Sequence, residues 1–135
     1  MTARHPAFLQ AAFYVGTGVW PLLHRPSFER VTGRKTDFWL AQTVGLTVAT
    51  IGVGLAHAVS RRRGVPPELR TVAVASAAGL APVDLSFVAR GRISKIYLAD
   101  AAVEVALVAG WLFARYRPES GLPDTSPGDI RVPPC

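Results

Sequence analysis

Four long stretches with little or no charge constrain the fold of this chain more than any other feature. The stretches 7–23 and 38–60 contain no Asp, Glu, Lys or Arg, and the stretches 69–89 and 96–113 contain two such residues each. An α-helix rises about 1.5 Å per residue, so about 20 apolar residues are enough to cross the core of a bilayer. The sequence therefore predicts four membrane-spanning helices over about these ranges.

The connections between the stretches are short and polar. They cover residues 25–37, 61–68 and 90–95, and the first of them carries a turn signal at Thr32 and Gly33. Short connections make consecutive helices antiparallel neighbours. We therefore expect an all-α fold, a four-helix antiparallel transmembrane bundle over residues 1–117. The Pro-rich segment 118–135 is predicted to be a disordered C-terminal tail.

Composition excludes several classes of protein. The chain has 135 residues, enough for one domain, of which 50% are hydrophobic and only 18% charged. A net charge of +6 on so apolar a chain points to the bilayer as partner and not to a nucleic acid. A single Cys excludes an internal disulfide, and the three His are too scattered for a metal site. No metal or other cofactor is expected.

The first apolar stretch also fits a signal peptide, since Arg4 precedes it. No small-x-small cleavage site follows, however, and the stretch ends in Trp20, Pro21 and His24. We therefore expect a retained helix.

The two sides of the predicted bundle carry nearly equal numbers of basic residues, so their distribution favours one orientation by a small margin. One side of the bilayer, here called side A, holds the N-terminus, the second connection and the tail, with eight basic residues. The other side, side B, holds the first and third connections, with seven. The compact triplet Arg61, Arg62 and Arg63 favours side A as cytoplasmic. This predicts a multi-pass protein of the cell (inner) membrane with both termini in the cytoplasm.

Three acids inside the predicted spans are the main functional candidates: Asp84, Asp100 and Glu104. An Asp at the centre of a span costs roughly 2.5–3.5 kcal/mol on the insertion scale, so an intramembrane acid usually has a function or a partner. Asp84 and Asp100 flank the third connection at similar distances, which places both roughly 8 Å inside side B. Asp100 and Glu104 are four residues apart and share one helix face.

Polar residues of the other two helices are predicted to complete a pocket in the side-B half of the bilayer. These are Trp20 and His24, on a first-helix stripe with Gln10, Phe13 and Thr17, and Gln42 on the second helix. Three acids so close together cannot all ionise at low cost, so at least one is expected to hold a proton, with His24 as its partner.

Small residues follow helical spacing on three of the helices. Gln42 heads a stripe of Gly45, Ala49, Gly52 and Ala56; Ala73, Ala77 and Ala81 share a face with Asp84; and Ala102, Ala106 and Gly110 lie opposite the acids of the fourth helix. Small residues let helix backbones approach closely in lipid. These stripes predict the packing faces of the bundle, and one of them could instead mark a homodimer face.

Simpler interpretations exist for the same residues. Asp84 and Asp100 could form interfacial ion pairs with Arg90, Arg92 or Lys95, and Glu104 could make a structural hydrogen bond. The three Trp residues, Trp20, Trp39 and Trp111, could be anchors at the lipid headgroups.

The segments WPLLHRPSFERVTGRKTDFWLAQTVG (20–45) and GRISKIYLADAAVE (91–104) resemble the short four-span membrane proteins of bacteria whose function is unassigned. In size and hydropathy the chain is also loosely similar to the DoxX-like group of small bacterial membrane proteins. The resemblance covers about residues 7–115 and implies the four-span bundle, without a residue-by-residue match for the site.

Two functions follow from these features. In the first, the acid-lined pocket binds a small cationic or amphipathic ligand or relays protons between Asp84, Asp100, Glu104 and His24. In the alternative, the chain is a non-catalytic accessory or scaffold subunit that needs only its packing faces and a membrane-protein partner. A membrane enzyme acting on lipid or quinone, with Glu104 as base and His24 as acid, is a third interpretation, but no nucleophile motif supports it.

Overall fold

The computed structural model describes residues 2–61 and 64–115, and all regular structure within these ranges is helical. This confirms the predicted all-α class. The tail predicted at 118–135 lies outside the described residues. The helices are α1 (Arg4–Leu23), α2 (Arg25–Thr32), α3 (Phe38–Ser60), α4 (Pro67–Ala89) and α5 (Tyr97–Arg115).

Three of these helices are long and apolar enough to cross a membrane: α3, α4 and the part of α5 at Tyr97–Ala114. The helix α1 is 20 residues long, but it falls short in hydropathy. Two prolines, Pro6 and Pro21, and two polar side chains, Gln10 and Tyr14, interrupt its apolar character. The structure therefore supports three of the four predicted spans by length and composition.

The first connection contains a helix that the sequence did not predict. Residues 25–32 form α2, and Gly33 then ends it with a positive φ of 85°, as the Thr32–Gly33 turn signal suggested. His24 caps the new helix, because its Nδ1 accepts a hydrogen bond from the Ser27 backbone N–H at 3.2 Å. Pro26 lies in the first turn, where backbone N–H groups have no intrahelical acceptor, so the N–H that proline lacks costs no helical hydrogen bond.

The surface of the bundle is apolar while part of its interior is polar. Large side chains such as Leu9, Val53 and Phe113 are exposed, the last by 71%, whereas Gln10 and Glu104 are buried. A protein that folds in water buries its large apolar side chains instead. This distribution is typical of a helical protein whose solvent is lipid.

The helices form two pairs, α1 with α3 and α4 with α5. Small residues bring α1 and α3 into backbone contact: a Cβ added to Gly45 would lie 2.5 Å from the Gly18 carbonyl oxygen, and one added to Gly52 would lie 2.9 Å from the Tyr14 Cβ. We call this contact the glycine seam. Gly45, Ala49 and Gly52 are buried as the stripe predicted, while Ala56 is exposed.

In the second pair, the predicted face of α4 is buried and includes Ala73, Ala77, Ala81 and Asp84. On α5 the predicted packing face was wrong. Ala102 and Ala106 are exposed, and the opposite face, with Glu104, Leu107 and Trp111, is buried. The reason is that this polar face finds hydrogen-bond partners on α1, which outweighs the close approach that small residues would allow.

The side-A half of the bundle has an apolar core. We call it the side-A core; its buried members are Ala7, Ala11, Leu55, Ala58, Val65, Ala73 and Trp111. Arg4 lies at its rim and donates from Nη2 to the Val59 carbonyl at 2.9 Å. The buried acids Asp84 and Glu104 lie between this core and side B, whereas Gln10 bonds to two of the core residues, Ala73 and Trp111.

Candidate functional site

The three predicted acids lie together at the side-B end of the α4–α5 pair. Glu104 is 1% exposed and Asp84 is 8% exposed, while Asp100 is half-buried. The carboxyl groups of Asp84 and Asp100 lie close to each other. Glu104 follows Asp100 by one helical turn on the same buried face of α5. We call these three residues the acid cluster.

Asp84 has an unusual environment within this cluster. Its Oδ2 atom is buried, and no N–H or O–H donor among residues 2–61 and 64–115 reaches it. Ion pairing does not supply one either, because the ion pair found in these ranges joins Arg25 to Glu29 and not an intramembrane acid to Arg90, Arg92 or Lys95. A buried carboxyl oxygen without a donor is costly, and another carboxyl group faces it.

Glu104 is linked to α1 and, through α1, to α4. The Tyr14 hydroxyl lies 3.1 Å from Glu104 Oε2 and 3.2 Å from Ser76 Oγ, so it can donate to either. Ser76 in turn donates to the Ala73 carbonyl at 3.0 Å. Tyr14 was not among the predicted site residues, although it lies four residues after Gln10 and so on the same helix face.

A second set of hydrogen bonds lies closer to side A. Trp111 Nε1 donates to Gln10 Oε1 at 2.7 Å, and Gln10 Nε2 donates to the Ala73 carbonyl at 2.8 Å. Trp111 is 2% exposed, so its assignment as a headgroup anchor was wrong. The buried face of α1 is also turned about the helix axis relative to the predicted stripe. Gln10 and Tyr14 are buried, whereas Phe13 and Thr17 are only partly buried.

Residues of α2 and the following loop cover the side-B end of the cluster. The Tyr97 hydroxyl lies near the Thr32 side chain and near Asp84 and Asp100. Lys35 lies beside Tyr97, with its Nζ 5.0 Å from the centre of the Tyr97 ring. The same Nζ donates a hydrogen bond to the Thr32 carbonyl at 2.9 Å. Burial lowers the pKa of the Lys35 ammonium. Lys35 is therefore a cation on the Tyr97 side of the acid cluster, and its weak sequence signal is its position in the first connection.

The other three predicted residues do not join the acid cluster. His24 is exposed and caps α2. Trp20 donates from Nε1 to Ser27 Oγ at 2.8 Å and packs edge-on against Phe28. Gln42 is half-buried on α3 and makes no hydrogen bond to an acid within the described ranges. The physical reason is that α1 ends at Leu23 and α2 begins at Arg25. His24 and the Trp20 side chain therefore bond to Ser27 of α2 and not to the acids.

The side chains of the acid cluster and the grooves of the bundle bear on metal and ligand binding. Within the described part of the chain, no three His, Cys, Asp or Glu side chains are grouped to hold a metal ion. Two open grooves are present, one of about 370 Å³ between α3 and α4 and one of about 430 Å³ between α4 and α5. Ser76 and Gly79 line the first, but no acid lines either groove.

These observations define a class, an all-α protein with three helices able to cross a membrane and with buried carboxyl groups between them. No protein-family model, no curated protein and no solved structure matches the chain. Its function has to be argued from its own residues.

Proposed function

We propose that the chain is a four-span membrane protein in which α1 is the fourth span. Its 20 residues cover about 30 Å, the thickness of a bilayer core. Both of its central polar side chains, Gln10 and Tyr14, face the interior, while Phe8 and Leu9 face outwards. The glycine seam holds α1 along α3 over several turns, so α1 lies at the same depth as a helix that can itself span.

In this arrangement both termini and the second connection lie in the cytoplasm of a bacterial cell, and the mouth of the acid cluster faces the opposite side of the inner membrane. The support is the positive-inside rule applied to eight basic residues on side A against seven on side B. Four of the side-A residues, Arg62, Arg63, Arg117 and Arg131, lie outside the described residues. The resemblance to small bacterial four-span proteins, including the DoxX-like group, agrees with this location.

The function that the geometry supports best is uptake and release of a proton by the acid cluster. The observation that carries this proposal is the buried Asp84 Oδ2, which lacks a donor and faces Asp100. A proton shared by these two carboxyl groups supplies the missing hydrogen bond and removes one buried charge. The burial of Asp84 and Glu104 favours a proton over a cationic or amphipathic ligand, which would need space beside the acids.

The side-A core makes this a one-sided site. Between the Gln10–Trp111 hydrogen bond and side A, the described interior consists mainly of Ala, Leu and Val side chains. The buried Nε of Arg70 also lies there, with the guanidinium 5.9 Å from the Trp111 ring, but an arginine keeps its proton and so does not relay one. Protons therefore reach the cluster from side B, past Tyr97 and Lys35, and leave by the same route. We accordingly propose proton binding that changes the state of the bundle, and not conduction across it.

Infrared difference spectroscopy on the detergent-purified chain tests this proposal. A step in pH should change the carbonyl-stretch band of protonated carboxyl groups, and Asp84→Asn or Asp100→Asn should remove much of this change. Glu29→Gln is the matched control, because Glu29 is a side-B acid on α2 outside the cluster; it should leave the band unchanged. His24→Gln should behave like the control.

The scaffold alternative predicts a different outcome. If Asp84→Asn and Asp100→Asn give the same spectra as the wild type and assemble normally, the acids serve only helix packing. The proposal of proton binding would then be rejected in favour of an accessory subunit.

A further inference from the structure

The Tyr14 hydroxyl has one proton and two acceptors at nearly equal distances. Glu104 Oε2 lies at 3.1 Å on α5 and Ser76 Oγ at 3.2 Å on α4. Ser76 cannot return the bond while its own proton is donated to the Ala73 carbonyl. Tyr14 therefore donates to one neighbour or to the other.

The protonation state of Glu104 decides between these two arrangements. An ionised Glu104 only accepts, so Tyr14 donates to it and leaves Ser76 Oγ without that bond. A protonated Glu104 donates to the Tyr14 oxygen, and the Tyr14 proton then turns to Ser76. The Tyr14 O–H bond is kept throughout, and the only proton gained is the one on Glu104.

The packing around Tyr14 allows the hydroxyl to rotate while the ring stays in place. Tyr14 is completely buried, and the glycine seam brings Gly52 of α3 against its Cβ. The charged or titratable groups that face Glu104 come from its own helix and from two others: Asp100 from α5, Tyr14 from α1 and Asp84 from α4. No titratable group of α3 within the described ranges contacts it.

We propose that Tyr14 is a positioning residue that reverses its hydrogen bond with the protonation of Glu104 and so transmits that state to Ser76 on α4. This inference rests on the proposed function, since it concerns the proton on the same cluster. The signal reaches the α4 backbone at Ala73, whose carbonyl accepts from both Ser76 and Gln10. Proton uptake thereby changes the bonding between the α1–α3 pair and α4.

The test compares two variants in the infrared titration, with the Glu104 band identified by Glu104→Gln. Tyr14→Phe removes the donor to the ionised carboxylate, which is the stronger of the two bonds, so a larger fraction of Glu104 carries a proton at a given pH. Ser76→Ala removes the acceptor that Tyr14 needs when Glu104 is protonated, so a smaller fraction carries one. Each variant should change the ratio of protonated to ionised Glu104 by about threefold or more, in opposite directions.

Hydroxyls elsewhere on the same helices provide matched controls. Thr17 on α1 and Thr71 on α4 donate to carbonyls of their own helices, Phe13 at 2.7 Å and Pro67 at 3.0 Å. Thr17→Ala and Thr71→Ala should not move the titration, and Ser76→Thr should restore the wild-type ratio.

The outcomes separate this inference from the proposed function. Shifts of the same sign, or no shift in Ser76→Ala, would overturn the role of Tyr14 while a pH-dependent cluster band still supported proton binding. A wild-type protein without a pH-dependent band from the cluster would overturn both.

Discussion

The two contact surfaces of α1 show two different ways of holding helices together in lipid. Against α3, α1 presents Gly18 to Gly45 and packs backbone on backbone, and the Arg4 guanidinium, which stays charged at all ordinary pH, donates to the Val59 carbonyl. Against α4 and α5, it presents Gln10 and Tyr14, which bond to Ala73, Ser76, Glu104 and Trp111. Lipid provides no hydrophobic drive between helices, so close packing and hydrogen bonds must do this work. Only the second surface can respond to a proton.

The largest expected effect concerns the glycine seam. In Gly45→Ala the new Cβ would lie 2.5 Å from the Gly18 carbonyl oxygen and 2.8 Å from Pro21 Cγ, so α1 and α3 must separate. We expect the free energy of unfolding in detergent, measured by SDS titration, to fall by at least about 3 kcal/mol. Gly79→Ala is the matched control, because nothing lies within 4 Å of its added Cβ. Equal stability of the two variants would contradict the described seam.

A smaller loss is expected on the polar surface. Gln10→Leu removes the acceptor of Trp111 Nε1 and leaves a buried N–H without a partner. The free energy of unfolding should fall by about 1–2 kcal/mol. Adding Trp111→Phe removes the unpaired N–H, so the double variant should be less destabilised than the sum of the two single variants. Strict additivity would show that the two side chains are not coupled.

Neutralising an acid of the cluster should raise the free energy of unfolding, whereas the two preceding changes lower it. Asp84→Asn removes a buried charge and gives Asp100 a hydrogen-bond donor, so the free energy of unfolding in alkaline buffer should rise by about 1 kcal/mol. The gain should disappear in acid, where the wild-type carboxyl groups already carry protons. A loss of stability in alkaline buffer would indicate that Asp84 has a stabilising partner that the structure does not place there.

The smallest effect is expected outside the membrane, at Glu29. Its carboxylate accepts hydrogen bonds from the Arg25 side chain and the Lys35 backbone N–H, and these lower the pKa of Glu29 below its usual value. Its contribution to stability is therefore present above the pKa of an unfolded Glu and is lost as the pH falls through the lowered folded value. Glu29→Gln should reduce the thermal midpoint slightly at neutral pH and not in strong acid. An undiminished difference in acid would assign the effect to lost packing and not to charge.

The helices could be predicted from the sequence because uncharged length is a local property. The stretch 38–60 coincides with α3, and the stretches for α4 and α5 differ from the observed helices by one or two residues at an end. The helix α2 was missed because Phe28 and Val31 are the only large apolar side chains among its eight residues, too few to establish a helical period. The proximity of Asp84 and Asp100 also followed from counting residues along the short third connection.

The rotation of α1 could not be predicted in the same way. Gln10 fits a stripe with Phe13 and Thr17 as well as one with Tyr14, because helical neighbours lie three or four residues apart. The choice is made by partners on α4 and α5, which the α1 sequence does not contain. The same holds for Trp111: a Trp near a helix end usually marks the membrane interface, and only its distant amide partner places it inside.

The hydrogen bonds of α1 also order the events of its biogenesis. Gln10 bonds to a carbonyl 63 residues further along the chain and to an indole 101 residues away, and Tyr14 bonds to a carboxyl group 90 residues away. During translation α1 emerges from the ribosome well before any of these partners is synthesised, whereas the glycines of α3 follow much sooner. A hairpin of α1 and α3 therefore contains two polar side chains without their native partners until α4 and α5 have been synthesised.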